Sequence, residues 1–156
     1  MADLAALRAR YAEGTRYVER LGAGADPASL DRHAPGAWSA RQTIHHLADS
    51  ETMAYTRLRR LLAEPEPVIQ GYDEGAWADA PLLGYAEVPV DSAIALYSAV
   101  RAASGLLVGR LSDADLERAG NHTEGGRYTV RRWLEIYTEH PFDHGAQIER
   151  ALRGEP

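Results

Sequence analysis

A four-helix bundle with one long crossover is the all-α architecture this sequence predicts. Three features carry that reading. Four long stretches place apolar residues every three or four positions, a Pro- and Gly-broken segment separates the second from the third, and strand candidates are few. A length of 156 residues fits one domain over 1–156, large enough to bury a core of its own.

The first helix is expected from Leu4 to Leu21, with Leu4, Leu7, Tyr11, Val18 and Leu21 on one stripe and the run from Gly22 to Pro27 as its stop. The second opens at Ser39, where a serine followed three residues later by Gln42 forms a capping box. Ile44, Leu47, Ala54, Leu58 and Leu61 continue its stripe until Pro65 and Pro67 end it. From Glu66 to Pro89 the chain is interrupted by Gly71, Gly75, Pro81 and Gly84, so it reads as the crossover, with a short helix around Glu74 to Ala78. The third helix spans Val90 to Leu111, with Ile94, Tyr97, Val100, Leu107 and Leu111 inward. Gly120-Asn121-His122 and Gly125-Gly126 suggest a tight loop or small hairpin. The fourth helix starts after Thr129 as N-cap and reaches Arg153, with Val130, Trp133, Leu134, Tyr137, Ile148 and Leu152 as its stripe.

Composition narrows the chemistry. There is no cysteine, which removes disulfides, thiolate-ligated zinc and a cysteine nucleophile. All 17 basic residues are arginine, which removes Schiff-base and P-loop lysine mechanisms. A net charge of -6 argues against nucleic acid as a partner. No run approaches the roughly 18 apolar residues a membrane helix needs. The start Met1-Ala2-Asp3-Leu4 lacks a basic and apolar leader, so a cytoplasmic location is expected.

Four of the six histidines form two clusters, His45-His46 and His140 with His144. Histidines four apart lie on one helix face about a turn apart, so their imidazoles can converge on one ion, and a second helix can supply a third nitrogen. At about 100° per residue, His140 and His144 fall within roughly 60° of their stripe centre and point inward. On the second helix His46 lies about 110° and His45 about 150° from the stripe centre, so this wheel alone does not choose between them. A lone pair of this spacing is commonly an ordinary core pair; the second cluster is what suggests a metal.

Two runs carry a family resemblance. Trp38-Ser39-Ala40-Arg41-Gln42-Thr43-Ile44-His45-His46-Leu47-Ala48-Asp49-Ser50 resembles the first signature of the DinB/YfiT-like superfamily. Glu139-His140-Pro141-Phe142-Asp143-His144-Gly145-Ala146-Gln147-Ile148 resembles the second, and Pro67 to Trp77 is similar to the YfiT branch. The resemblance implies a divalent metal, zinc or nickel, held by His46, His140 and His144. It also implies a homodimer and a small-molecule substrate. Related members are bacillithiol S-transferases or mycothiol-dependent isomerases, and others bear only the designation of metal-dependent hydrolase. Pro141 departs from the regular pattern and is expected to kink or restart the helix beside His140. Asp143 stands where the family often has another histidine.

Three neutral imidazoles leave a divalent ion its full charge, which favours either a thiolate from a small thiol cosubstrate or a hydroxide from water. The first outcome makes a thiol S-transferase and the second a hydrolase; a non-enzymatic stress-response metal protein is the remaining alternative. Asp49, at i+3 from His46, and Gln147, at i+3 from His144, are the candidates to fix the imidazole tautomers as part of the catalytic set. Tyr72 and Trp77 on the crossover are the candidates to shape the cofactor and substrate pocket, with Asp73 between them. Glu51 falls near the centre of the second stripe and needs an arginine partner or a place lining the site. His33 reads as a surface residue, and His122, in the Gly-rich loop, as an exposed loop residue or else a mobile acid/base group.

Overall fold

The structure, a computed structural model, describes residues 3–155, so the Met1-Ala2 start and Pro156 lie outside it. Helix α1 spans Leu4–Gly24, α2 Ala40–Ala63, α3 Glu74–Asp79, α4 Asp91–Val108 and α5 Val130–Arg153. Strand β1 is Val68–Ile69, β2 Ala119–His122 and β3 Gly126–Thr129, with short 3-10 turns at Pro27–Ser29, Pro81–Leu83 and Asp115–Glu117. The four long helices form a ring in which α1 packs on α4 and α5, and α2 packs on the same two. Helices α1 and α2, adjacent in sequence, therefore sit across the ring from each other.

Local sequence explains the helix ends. Both halves of the Ser39 capping box form: Gln42 N–H donates to Ser39 Oγ (3.2 Å) and Ser39 N–H to Gln42 Oε1 (2.9 Å). Thr129 Oγ1 caps α5 by accepting from Arg132 N–H. Helix α1 ends at Gly24, inside the Gly22 to Pro27 run expected to stop it, with Gly22 itself still helical. A Cβ there would lie 2.4 Å from Ile94 Cδ1, so this glycine admits a neighbour from α4.

The Gly-rich segment after α4 is a true hairpin. Strands β2 and β3 pair antiparallel, and β1 adds a parallel strand from the crossover, with Val68 opposite Asn121 and Ile69 opposite His122. That third strand tethers the crossover to the α4–α5 connection.

Two apolar cores occupy the ends of the bundle. One gathers Leu7, Tyr11, Leu58, Trp133 and Leu134 with the hairpin's Tyr128, and the other gathers Val18, Ile44, Leu47, Tyr97 and Ile148. Between them lies a buried polar layer holding Ser50, Glu51, Arg101, Ser104 and Thr138 together with His46. Glu51 meets Arg101 here (3.1 Å), so the expected arginine partner comes from α4.

Pro141 neither breaks nor restarts α5, which stays continuous from Val130 to Arg153. A proline has no N–H, so it leaves the carbonyl four residues earlier, that of Tyr137, without its helical donor. Arg101 Nη1 donates to this carbonyl at 2.8 Å. Its Nη2 donates to Tyr11 O (2.6 Å) and its Nε to Thr15 Oγ1 (2.9 Å). The Pro141 ring packs against Gly14 of α1, where a Cβ would come within 3.1 Å.

Candidate metal centre

His46 projects from α2, and His140 and His144 from one face of α5. One ring nitrogen from each lies within 4.8 Å of the other two. Ring centroids are 4.4 Å apart for His140 and His144, 4.6 Å for His46 and His144, and 5.5 Å for His46 and His140. His46 is fully buried although the wheel put it off the main stripe. Helix α2 buries a wider arc than its apolar residues mark, and the His46 ring sits among Trp38, at 5.2 Å between centroids, His140 and His144. His45 goes elsewhere, with Nε2 at 3.0 Å from Val88 O on the crossover.

The electrostatics of His46 and His140 favour neutral rings. Burial pushes the His46 imidazole down to about 4, with His144 nearby adding to the effect. Burial and the two neighbouring imidazoles hold His140 well below the ordinary histidine range. Both ring nitrogens of His46 and Nδ1 of His140 are buried without a hydrogen-bond partner among the described residues. Such groups are costly to leave unsatisfied. Lone-pair nitrogens converging from two helices are the donor set a divalent cation takes, so the residues fit the implied metal.

Gln147 accepts from His144 Nδ1 at 2.9 Å. An amide oxygen can only accept, so Nδ1 carries the proton and Nε2 keeps its lone pair. Asp49 takes a different partner from the one expected: Tyr85 Oη donates to its Oδ2 at 2.6 Å, joining α2 to the far end of the crossover. His46 has no bond to Asp49. Tyr72 and Trp77 pack on each other with centroids 4.5 Å apart.

A cleft of about 420 Å³ opens beside His140, lined by Ser50, Arg57, Glu74, His122, Arg127 and Arg132 among others. Tyr72 and Trp77 are not among its walls. Glu74, at the first turn of α3, brings Oε2 to 3.9 Å from His46 Nε2 and stays half exposed. The sequence reading missed this carboxylate because an acidic residue just after the Asp73 cap is ordinary helix-start chemistry. His122 contributes to the cleft wall, where it had been read as a loop residue, while His33 is exposed as expected.

Comparison with known proteins agrees with this geometry. The chain is 39% identical over 113 residues to a protein of Oceanobacillus iheyensis named "Putative metal-dependent hydrolase", covering 72% of this chain and 64% of that one. A Halalkalibacterium halodurans protein of the same designation is 30% identical over 116 residues, covering 74% and 66%. The chain thus spans just under two thirds of the length of these relatives. Among solved structures, YfiT from Bacillus subtilis, described as "a probable metal-dependent hydrolase with an unusual four-helix bundle topology", superposes with a TM-score of 0.78. Its identity is 26%, with 92% of this chain and 86% of YfiT covered. The DinB superfamily profile matches residues 6–148, and the chain belongs to that superfamily in its YfiT-like form.

Proposed function

We propose that the protein is a metal-dependent S-transferase that joins a small thiol, of the bacillithiol kind, to an electrophilic substrate. The observation that carries the proposal is the convergence of His46, His140 and His144, whose ring nitrogens lie within 4.8 Å of one another. When bound, a divalent ion, zinc or nickel, supplies the Lewis acidity that favours the thiolate form of a thiol. The chain has no cysteine, so the sulfur comes from a cosubstrate. Glu74 Oε2, 3.9 Å from His46 Nε2 and half exposed, would accept the thiol proton as sulfur forms its bond to the electrophilic carbon and the substrate's leaving group departs with its electron pair. Gln147 acts through His144, holding its tautomer. Asp49 acts through Tyr85, fixing the crossover that carries Glu74. Tyr72 and Trp77, packed on each other at a tilt, act by stiffening the same crossover. A homodimer in the cytoplasm, with neither nucleic acid nor membrane as partner, completes the proposal. Among the described residues no helix is long and apolar enough to cross a membrane.

Hydrolysis is the second reading, and the designation of the relatives favours it. There Glu74 would take its proton from water.

The test is elemental analysis of protein purified without a nickel column, paired with conjugation of a bimane electrophile by bacillithiol. A bound divalent ion and conjugation above background are expected. His140→Ala should lose the metal and lower the rate by roughly a hundredfold or more, given the several kcal/mol a Lewis acid supplies. Metal-free wild type would overturn the proposal. Ester or amide turnover without any thiol would transfer it to the hydrolytic reading.

A further inference from the structure

Arg57, Arg127 and Arg132 all line the cleft that begins at His140. Among the described residues, none of the three forms an ion pair with a carboxylate. In a chain of net charge -6, three such arginines around one cleft form a local reversal of sign. Arg57 is held in place by uncharged oxygens: Nη1 donates to Tyr137 Oη at 2.9 Å and Nη2 to Gln70 O at 2.7 Å. Its Nε is buried with no acceptor. Arg132 sits in the first turn of α5, where the helix dipole disfavours a cation, and α5 has no acidic residue in that turn.

The two glutamates of the cleft do not cancel this charge. The Glu124 carboxylate stands over Gly71, 2.6 Å from where a Cβ would be, and Glu74 leans toward His46. The His122 imidazole is lowered by burial first, and the push from Arg57 outweighs the pull of Glu124. Three guanidinium groups against two carboxylates leave the cleft wall with a net positive charge.

We infer that Arg57, Arg127 and Arg132 form an oxyanion subsite, so that the ligand carries a carboxylate or phosphoryl group at one end and its reacting atom at the other, beside His140. Guanidinium groups bind both anions through paired N–H donors, and a cleft of about 420 Å³ has room for a small molecule spanning the two ends. The inference rests on the proposed function for the identity of the reacting end, while the subsite itself needs no metal.

Calorimetric titration with succinate, with inorganic phosphate and with neutral succinamide tests it, on both chelator-treated and metal-loaded protein. Succinate or phosphate should bind and succinamide should not, and the anion preferred identifies the ligand's charged group. The double variant Arg127→Gln/Arg132→Gln removes two exposed side chains and should keep the fold while weakening the anion about tenfold or more. Arg57→Gln should weaken it further, and Arg150→Gln, an exposed residue near the C-terminal end of α5, should leave it unchanged. Affinity for neither anion, or an unchanged affinity in the double variant, overturns the subsite. Anion binding without thiol conjugation would sink the proposed reaction and keep the subsite; conjugation of thiols without anion binding would do the reverse.

Discussion

Arg101 shows how much one residue can be asked to satisfy. It is buried, lies over the Tyr11 ring with its guanidinium carbon 3.4 Å from the centroid, and reaches Glu51, Tyr137, Tyr11 and Thr15. Removing one member of a buried pair leaves the other charged and desolvated, a loss of about 3–5 kcal/mol. Arg101→Met should therefore lower the unfolding free energy by that amount in urea titration. Combining it with Glu51→Met should recover a large part of the loss, since an apolar pair of similar volume avoids the uncompensated charge. The position of Glu51 on the stripe calls for either an arginine partner or a place lining the site, and the structure supplies the first. Which arginine could not be read, because Arg101 lies 50 residues away and answers to Pro141 as much as to Glu51.

At the scale of elements, legibility followed the length of the signal. The long helices declared themselves through four or five repeats of the apolar spacing and through the caps at Ser39 and Thr129. Strand β1 has two residues, too few for any periodicity, and only its partner β2 makes it a strand. Gly22 and Pro141 both read as interruptions, yet both are packing devices: one admits Ile94 and the other fits against Gly14. Gly120 is a third case. A Cβ at Gly120 would lie 2.3 Å from the Pro67 carbonyl oxygen, a backbone atom that cannot swing aside. Gly120→Ala should cost about 1–3 kcal/mol of overpacking. Hydrogen exchange should show the loss concentrated in the Asn121 and Thr123 amides that bond to Pro67 and Ile69.

For the whole molecule, the polar layer between two apolar cores sets the response to acid. In the metal-free protein the folded His46 resists protonation down to about 4, while the unfolded chain takes up that proton near 6.5. Its contribution to stability is therefore complete above about 6.5, falls as the pH drops toward 4, and is constant below. Glu51, raised by burial, works in the opposite direction. Comparing wild type with His46→Gln isolates the histidine: the stability difference should shift steadily against wild type between pH 6.5 and 4, as followed by chemical denaturation. The pairing of His140 with His144 was legible from spacing alone, and the resemblance preferred His46 to His45. Glu74 and the cleft arginines were not, because each is polar, lies outside the apolar stripes and joins the site only through tertiary placement.

The imidazole trio is drawn from positions 46, 140 and 144, so no local stretch of the chain contains a complete chelate. A ribosome-bound intermediate holding only α1 and α2 contains one member of the trio, His46. A cation held by all three would be captured only after α5 has been synthesised and docked, so metal loading would be a late event in biogenesis and a readout of finished assembly.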